Sequence, residues 1–227
     1  MTGHFAIAID GPAGAGKSTV DKRVAMALNA LYLDTGAMYR AVGLYMMRHG
    51  VALDDAAGIE ANAPAARVDV RYVDGAQRVY LCGEDVSQTI RENPVSAAAS
   101  AVSAVPAVRT LLVARQREIA AEADVVMDGR DIGTKVLPDA PVKVFLTAQA
   151  EVRARRRFLE LQKKGQEVPY EQLLSEIRQR DYNDSTRAAS PLKQADDAVL
   201  LDSSGMTVDE VVEAIVSMAR AKGAGRS

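Results

Sequence analysis

A chain of 227 residues with 48% hydrophobic residues is long enough to bury a substantial core, and its net charge of −2 and 4% aromatics offer nucleic acid neither attraction nor a stacking platform. Two histidines leave no room for a Ser-His-Asp triad or a histidine-built zinc site, and no apolar run reaches membrane length. The single cysteine forms no internal disulfide, which fits a reducing cytoplasm, and Cys82 reads as a small core or strand residue.

In chain order, the first feature is the most informative. An apolar run over 5–9 predicts a buried strand that ends at Asp10 and runs straight into Gly11-Pro12-Ala13-Gly14-Ala15-Gly16-Lys17-Ser18-Thr19. A helical pattern follows, so strand, glycine loop and helix stand in the order a phosphate-binding loop needs. Glycines at 11, 14 and 16 free the backbone to turn its N–H groups toward an oxyanion, and the helix beginning near Lys17 aims its positive end at the same place. Lys17 would reach the β- and γ-phosphates of a nucleotide, and the Ser18 hydroxyl would ligate Mg²⁺. A glycine turn beside an unrelated lysine is the plainer alternative.

Strands are further expected at 31–33, 124–127, 142–146 and 198–201, alternating with helices as in a doubly wound parallel sheet. Residues 67–81 break that alternation. Apolar and polar residues alternate there around Asp74-Gly75, which predicts an antiparallel hairpin in a small inserted lobe, about 60–90. The Ala/Ser-rich stretch 96–104 is read as a closely packed helix capped by Asn93-Pro94 rather than as a linker. Asp128-Gly-Arg-Asp131 follows a strand at the carboxyl edge, where α/β sheets bind ligands; a turn-forming Asp-Gly is the alternative.

A dense basic segment spans 153–187, with Arg153 and Arg157 on one helix face and Arg180, Asp184 and Arg187 on another if the segment is helical. It reads either as a solvated surface or as the arginine inventory of a phosphoryl-transfer site and its lid. The closing helix carries a Thr207/Glu210 capping box and an apolar stripe of Val208, Val211, Val212 and Ile215, with a frayed tail from Lys222. Phosphoryl transfer suits a chain with no histidine to spare, because a phosphate-monoester acceptor is already a dianion and needs arginines rather than a base. A hydroxyl acceptor would want an aspartate, for which Asp34 or Asp128 is available.

The motifs at 11–19, Leu33-Asp-Thr-Gly-Ala-Met-Tyr-Arg40, Asp128-Gly-Arg-Asp-Ile-Gly-Thr134 and Arg180-Asp-Tyr-Asn-Asp-Ser-Thr-Arg187 together resemble the bacterial cytidylate kinases over nearly the whole chain. The resemblance implies a P-loop nucleoside-monophosphate-kinase fold in the α/β class, with a five-stranded parallel sheet flanked by helices. An acceptor lobe with antiparallel strands and an arginine-rich lid would be inserted in it. Core segments are expected at 1–34, 105–150 and 190–222, the acceptor lobe at about 35–104 and the lid at about 151–189. The implied reaction is transfer from ATP to CMP or dCMP with Mg²⁺, giving ADP and CDP or dCDP, by a cytoplasmic monomer that binds neither nucleic acid nor membrane.

Residues 11–19 would then bind ATP. Thr35, Tyr39 and Arg40 would bind CMP, with Arg130 sharing its phosphate. Ser100, Arg109 and Asp131 would read cytosine, and Arg180, Asp184 and Arg187 would reach the sugar and phosphates. Lys17, Arg130, Arg157, Arg187 and Asp128 make up the catalytic set, Asp128 orienting Mg²⁺ through water. UMP as acceptor is the near rival, set apart by the base-reading set 100/109/131, since Asp131 would repel the carbonyl that uracil carries in place of the amino group. A P-loop switch or motor is the distant one, as neither an Asn-Lys-x-Asp nor a Leu-Ser-Gly-Gly-Gln element is present. Ser18 stands where many members have Gly and keeps a metal-binding hydroxyl. Asp21 replaces an expected small residue and is expected to face solvent.

Overall fold

The computed structural model describes residues 4–225. β1 (Ala6–Asp10) leads through the glycine loop into α1 (Lys17–Leu28), then β2 (Leu31–Asp34), α2 (Thr35–Arg48) and α3 (Ala56–Asn62). β3 (Val68–Val73), β4 (Ala76–Leu81) and β5 (Glu84–Asp85) precede α4 (Asn93–Ser103) and α5 (Pro106–Glu122). β6 (Val125–Gly129), β7 (Val142–Thr147), α6 (Ala150–Lys163), α7 (Tyr170–Thr186), β8 (Val199–Asp202) and α8 (Val208–Ala221) follow. Five strands form one sheet in the order β2-β6-β1-β7-β8, and β3-β4-β5 form a second, antiparallel one. Contacts divide the chain into two compact units: His4 with Leu31–Ala123, and Phe5–Ala30 with the residues from Asp124 onward.

In the second of these units, β1 lies between β6 and β7, parallel to both, with Ile9 opposite Asp128 on one side and Val144 on the other. All five residues of β1 are buried, as the unbroken apolar run requires of a strand covered on both faces. α8 starts at the expected capping box, but its buried face is Val211, Ile215, Val216 and Ala219. Val208, at the first helical position, is 41% exposed and lies outside the stripe. β8 is an edge strand rather than core: it pairs with β7 on one side only, leaving Val199 and Leu200 48% and 57% exposed. The tail is not frayed as far as it is described. The Lys222 N–H donates to the Met218 and Ala219 carbonyls, the Ala224 N–H donates to the Ala219 carbonyl at 2.9 Å, and the Ala224 side chain is buried.

In the first unit the anomalous segment is the antiparallel hairpin its alternation predicts. Val73 faces Ala76 across a two-residue turn in which Asp74 and Gly75 both have positive φ (52° and 73°), the geometry that matches strand twist. Cys82 is neither core nor strand. It sits exposed at φ 51° in the next turn, between β4 and β5, where a second reversal is needed. The Ala/Ser stretch is a helix, α4, although Asn93 is its first residue rather than its cap; Glu92 holds the cap position without a side-chain bond. α4 packs on α2 so closely that a Cβ at Gly43 would lie 2.9 Å from the Ala98 Cβ. No single helix among the described residues is long and apolar enough to cross a membrane.

Candidate active site

The phosphate-binding loop is built by β1 and α1. Gly11 passes so near β7 that a Cβ would stand 1.9 Å from the Leu146 carbonyl oxygen, so only glycine fits. Gly16, at φ 94°, caps α1 in the left-handed region and lets Lys17 begin the helix. The Lys17 ammonium turns back and donates to the Gly11 and Pro12 carbonyls at 2.7 and 2.8 Å. Burial and the nearby Arg130 charge pull its pKa down to about 7, against the carboxylates of Asp128, Asp21 and Asp10. Ser18 and Thr19 are exposed at the loop, and the Ser18 hydroxyl donates to Asp128 Oδ2 at 3.4 Å.

Asp21 does not face solvent. It is fully buried, one helical turn beyond Lys17, where its charge favours the protonated lysine. One face of α1 turns inward at 17, 20, 21, 24 and 25, and position 21 falls on it.

β6 delivers Asp128 at its end, and the chain then makes a short π-helical turn over Ile132–Val136. That turn is held by Asp10, whose two carboxylate oxygens accept the Ile132 and Gly133 N–H groups at 2.8 Å each. Burial pushes the Asp10 pKa up to about 6, although both N–H bonds favour the charged form. Arg130 donates through Nε to Asp184 Oδ2 of α7 at 2.8 Å, while Asp131 is buried at the start of the turn.

The basic segment forms two helices, not one surface. Arg153 is 4% exposed. Its guanidinium donates to the Ala148 carbonyl at 2.8 Å, to the Ala13 carbonyl of the phosphate loop at 3.0 Å, and as a fork to Asp181 at 3.0 and 2.5 Å. Arg156 donates to the Ala15 carbonyl at 3.4 Å and the Ser203 carbonyl at 2.7 Å. Arg157 instead pairs with Glu160 along the exposed side of α6. Arg180 and Asp184 share α7, but Arg187 lies just past its end at ψ 139° and donates to the Ser190 carbonyl at 2.7 Å. The three are therefore not on one continuous helix face.

In the first unit, Asp34 ends β2 and caps α2 by accepting the Ala37 N–H at 2.9 Å. Its other oxygen accepts from Arg40 at 2.8 Å, and Arg91 lies 3.5 Å from it. Thr35 and Tyr39 are buried on α2. Arg109 of α5 is buried over the Tyr39 ring, 5.5 Å from its centroid, and donates to the Ser103 carbonyl at 3.2 Å. Ser100 is exposed on α4, its carbonyl accepting the Ser103 hydroxyl at 2.8 Å.

Sequence reading did not single out Asp10, Gln77, Arg91 or Asp181 as site residues. Asp10 ends the apolar run and showed no other signal; its partners are more than 120 residues away. Helical spacing pairs Arg153 with Arg157, whereas it is Arg153 and Arg156 that reach the loop carbonyls, because spacing alone does not say which face of α6 turns toward the loop.

A central parallel strand that hands a glycine loop to a helix, with a buried lysine and arginines drawn onto the loop carbonyls, defines a P-loop kinase. The fold is shared with a solved gluconokinase from Sinorhizobium meliloti 1021, which matches 96% of this chain and 92% of its own at 17% identity, with a TM-score of 0.50. Within that class the chain belongs to the cytidylate kinase family, whose model matches residues 7–221. It is 57% identical over 219 residues to a cytidylate kinase of Desulforamulus reducens, covering 96% of this chain and 97% of that one. It is 50% identical over 212 residues to one of Caldicellulosiruptor bescii, covering 93% and 94%.

Proposed function

We propose that this chain transfers the γ-phosphoryl group of ATP directly to the phosphate of CMP or dCMP, giving ADP and CDP or dCDP. The likeness to curated cytidylate kinases over nearly the full length of both chains carries the acceptor assignment. The loop chemistry supports the donor half. Gly11–Thr19 would wrap the ATP phosphates, and the Lys17 ammonium, now donating to the Gly11 and Pro12 carbonyls, is ready to exchange them for phosphate oxygens.

Mg²⁺ fits the donors present, since the Ser18 hydroxyl and the Asp128 carboxylate are adjacent hard oxygens. When bound it would neutralise charge on the phosphates. A CMP phosphate near neutral pH is largely dianionic, so the remaining residues need only align and neutralise. Arg40 and Arg130 would take that phosphate, Arg40 through its other N–H groups while Nη2 stays on Asp34, and Arg130 by leaving Asp184. Arg157 and Arg187 would offset charge on the passing group. Ser100, Arg109 and Asp131 would read cytosine, beside Thr35 and Tyr39, and Arg180 with Asp184 would hold the sugar. A hydroxyl acceptor would want an aspartate beside it, but Asp34 is engaged by Ala37, Arg40 and Arg91, and Asp128 is assigned here to the metal beside Ser18.

In this reading residues 35–104 hold the acceptor, 151–189 close as a lid, and the remainder is the core. The protein works as a cytoplasmic monomer on free nucleotides, without nucleic acid or membrane. The test is ADP release from ATP and Mg²⁺ with CMP, dCMP, UMP, AMP or GMP offered singly. Turnover with the two cytidylates and little with the rest is expected. Preferential turnover with UMP would overturn the roles of Asp131 and Arg109, and no turnover with any monophosphate would overturn the reaction.

A further inference from the structure

β2 stands at the end of its strand order, so one of its edges has no strand neighbour. Unpaired edge groups of a buried strand need partners. Here the side chains of the inserted hairpin supply them. Gln77 lies against Asp34 as an amide against a peptide group: its Oε1 accepts the Asp34 N–H at 2.7 Å and its Nε2 donates to the Asp34 carbonyl at 3.2 Å. Tyr72 donates its hydroxyl to the Tyr32 carbonyl at 3.1 Å. Tyr72 and Gln77 face each other directly across the β3–β4 register, and residues 32 and 34 share one edge of β2. Two adjacent hairpin side chains thus stand in for a strand.

The residue they fix is the one that organises the arginines. Asp34 caps α2, holds Arg40 and attracts Arg91 through a single carboxylate. With its backbone held at both N–H and carbonyl and one carboxylate oxygen held by the Ala37 N–H, the carboxylate direction is set. Burial pushes the Tyr72 pKa up to about 12, which keeps the phenol a donor over the working pH range.

We propose that Gln77, seconded by Tyr72, is a positioning residue for the acceptor phosphate: the inserted hairpin aims Arg40 by clamping Asp34. This rests on the reading of Arg40 as a ligand of the acceptor phosphate. It gives the hairpin a part in acceptor affinity that acts through Asp34 and Arg40.

The test measures KM for CMP and for ATP, with kcat, in Gln77→Leu, Tyr72→Phe, Arg40→Lys and the Gln77→Leu/Arg40→Lys double variant. Gln77→Leu is expected to raise KM for CMP about tenfold with KM for ATP within about twofold of the parent. On the Arg40→Lys background the same change should add less than about twofold, because both act through one guanidinium. Equal losses for CMP and ATP, or a Gln77 effect that persists in full beside Arg40→Lys, would overturn the proposal as mere loss of structure. Tyr72→Phe removes one hydroxyl and serves if Gln77→Leu fails to fold: a rise of about threefold in KM for CMP is expected, and no change counts against the clamp. An Arg40→Lys variant with an unaltered KM for CMP would instead sink the assignment of Arg40 itself, and the clamp with it.

Discussion

Asp10 shows how much a single side chain carries at this site. It is the last residue of the central strand, and its two oxygens hold the first N–H groups of the turn that follows Arg130 and Asp131. With its pKa near 6 in the folded chain against an ordinary 3.8, the folded state binds a proton more readily than the unfolded one between those values. Its contribution to stability is therefore greatest at low pH and is lost as pH rises from about 4 to about 6, by roughly 3 kcal/mol in all. Urea unfolding of parent and Asp10→Asn should show the difference shifting in favour of Asn over that window and flat above it. A pH-independent difference would mean the carboxylate is not desolvated. The base-reading role proposed for Asp131 predicts that Asp131→Ala cuts CMP-dependent transfer far more than basal ATP hydrolysis, and equal losses in the two assays would contradict it. Asp21 is a residue-scale lesson of another kind. Its charge suggested solvent, whereas helical phase puts it on the buried face with Lys17.

Among elements, the α2–α4 contact decides how the first unit packs. Gly43 is normally a poor helix residue, and replacing it with alanine would gain up to about 1 kcal/mol in propensity. Here the new Cβ would meet Ala98 and the Ala99 nitrogen at 2.9 Å, so overpacking should win and Gly43→Ala should lose about 1–3 kcal/mol in denaturant unfolding. A stabilised variant would show that the helices separate at little cost. Elements whose signals are local were legible in advance. The glycine loop, the hairpin about Asp74-Gly75 and the Thr207/Glu210 box each depend on neighbours within a few residues. Features set by distant partners were not. The exposure of β8 depends on its having β7 alone beside it, and the Arg153–Asp181 fork joins two helices whose phase composition cannot give. Asn93 misled because Asn before Pro is a cap signature, yet the helix begins one residue earlier than that signature implies.

For the molecule as a whole, its weak net charge hides strong local segregation: arginines and carboxylates are already paired at both sets of site residues, Arg40 with Asp34 and Arg130 with Asp184. Ligands that bind those arginines should stabilise the fold by mass action, by about 2.7 kcal/mol at a concentration one hundred times Kd. Thermal melts with ATP and Mg²⁺, and separately with CMP, should each rise, while UMP at the same concentration should raise Tm less than CMP. Equal shifts for CMP and UMP would show that binding does not discriminate the base. The family and its fold were legible because four motifs fall in order along the chain. The placement of individual site residues was less so, because a motif names which residues meet a ligand but not which neighbours aim them, as Gln77 does for Asp34.

Cys82 offers a use that its chemistry alone would not suggest. One thiol in 227 residues, exposed on a tight turn of the antiparallel sheet, can be alkylated stoichiometrically on the native protein without engineering a site. A fluorophore attached there would sit on the same small sheet as the Gln77 clamp, at the end of β4, the strand that carries Gln77. Its emission would make the hairpin's response to each nucleotide visible in real time, in an otherwise unmodified enzyme that has no tryptophan to compete with the signal.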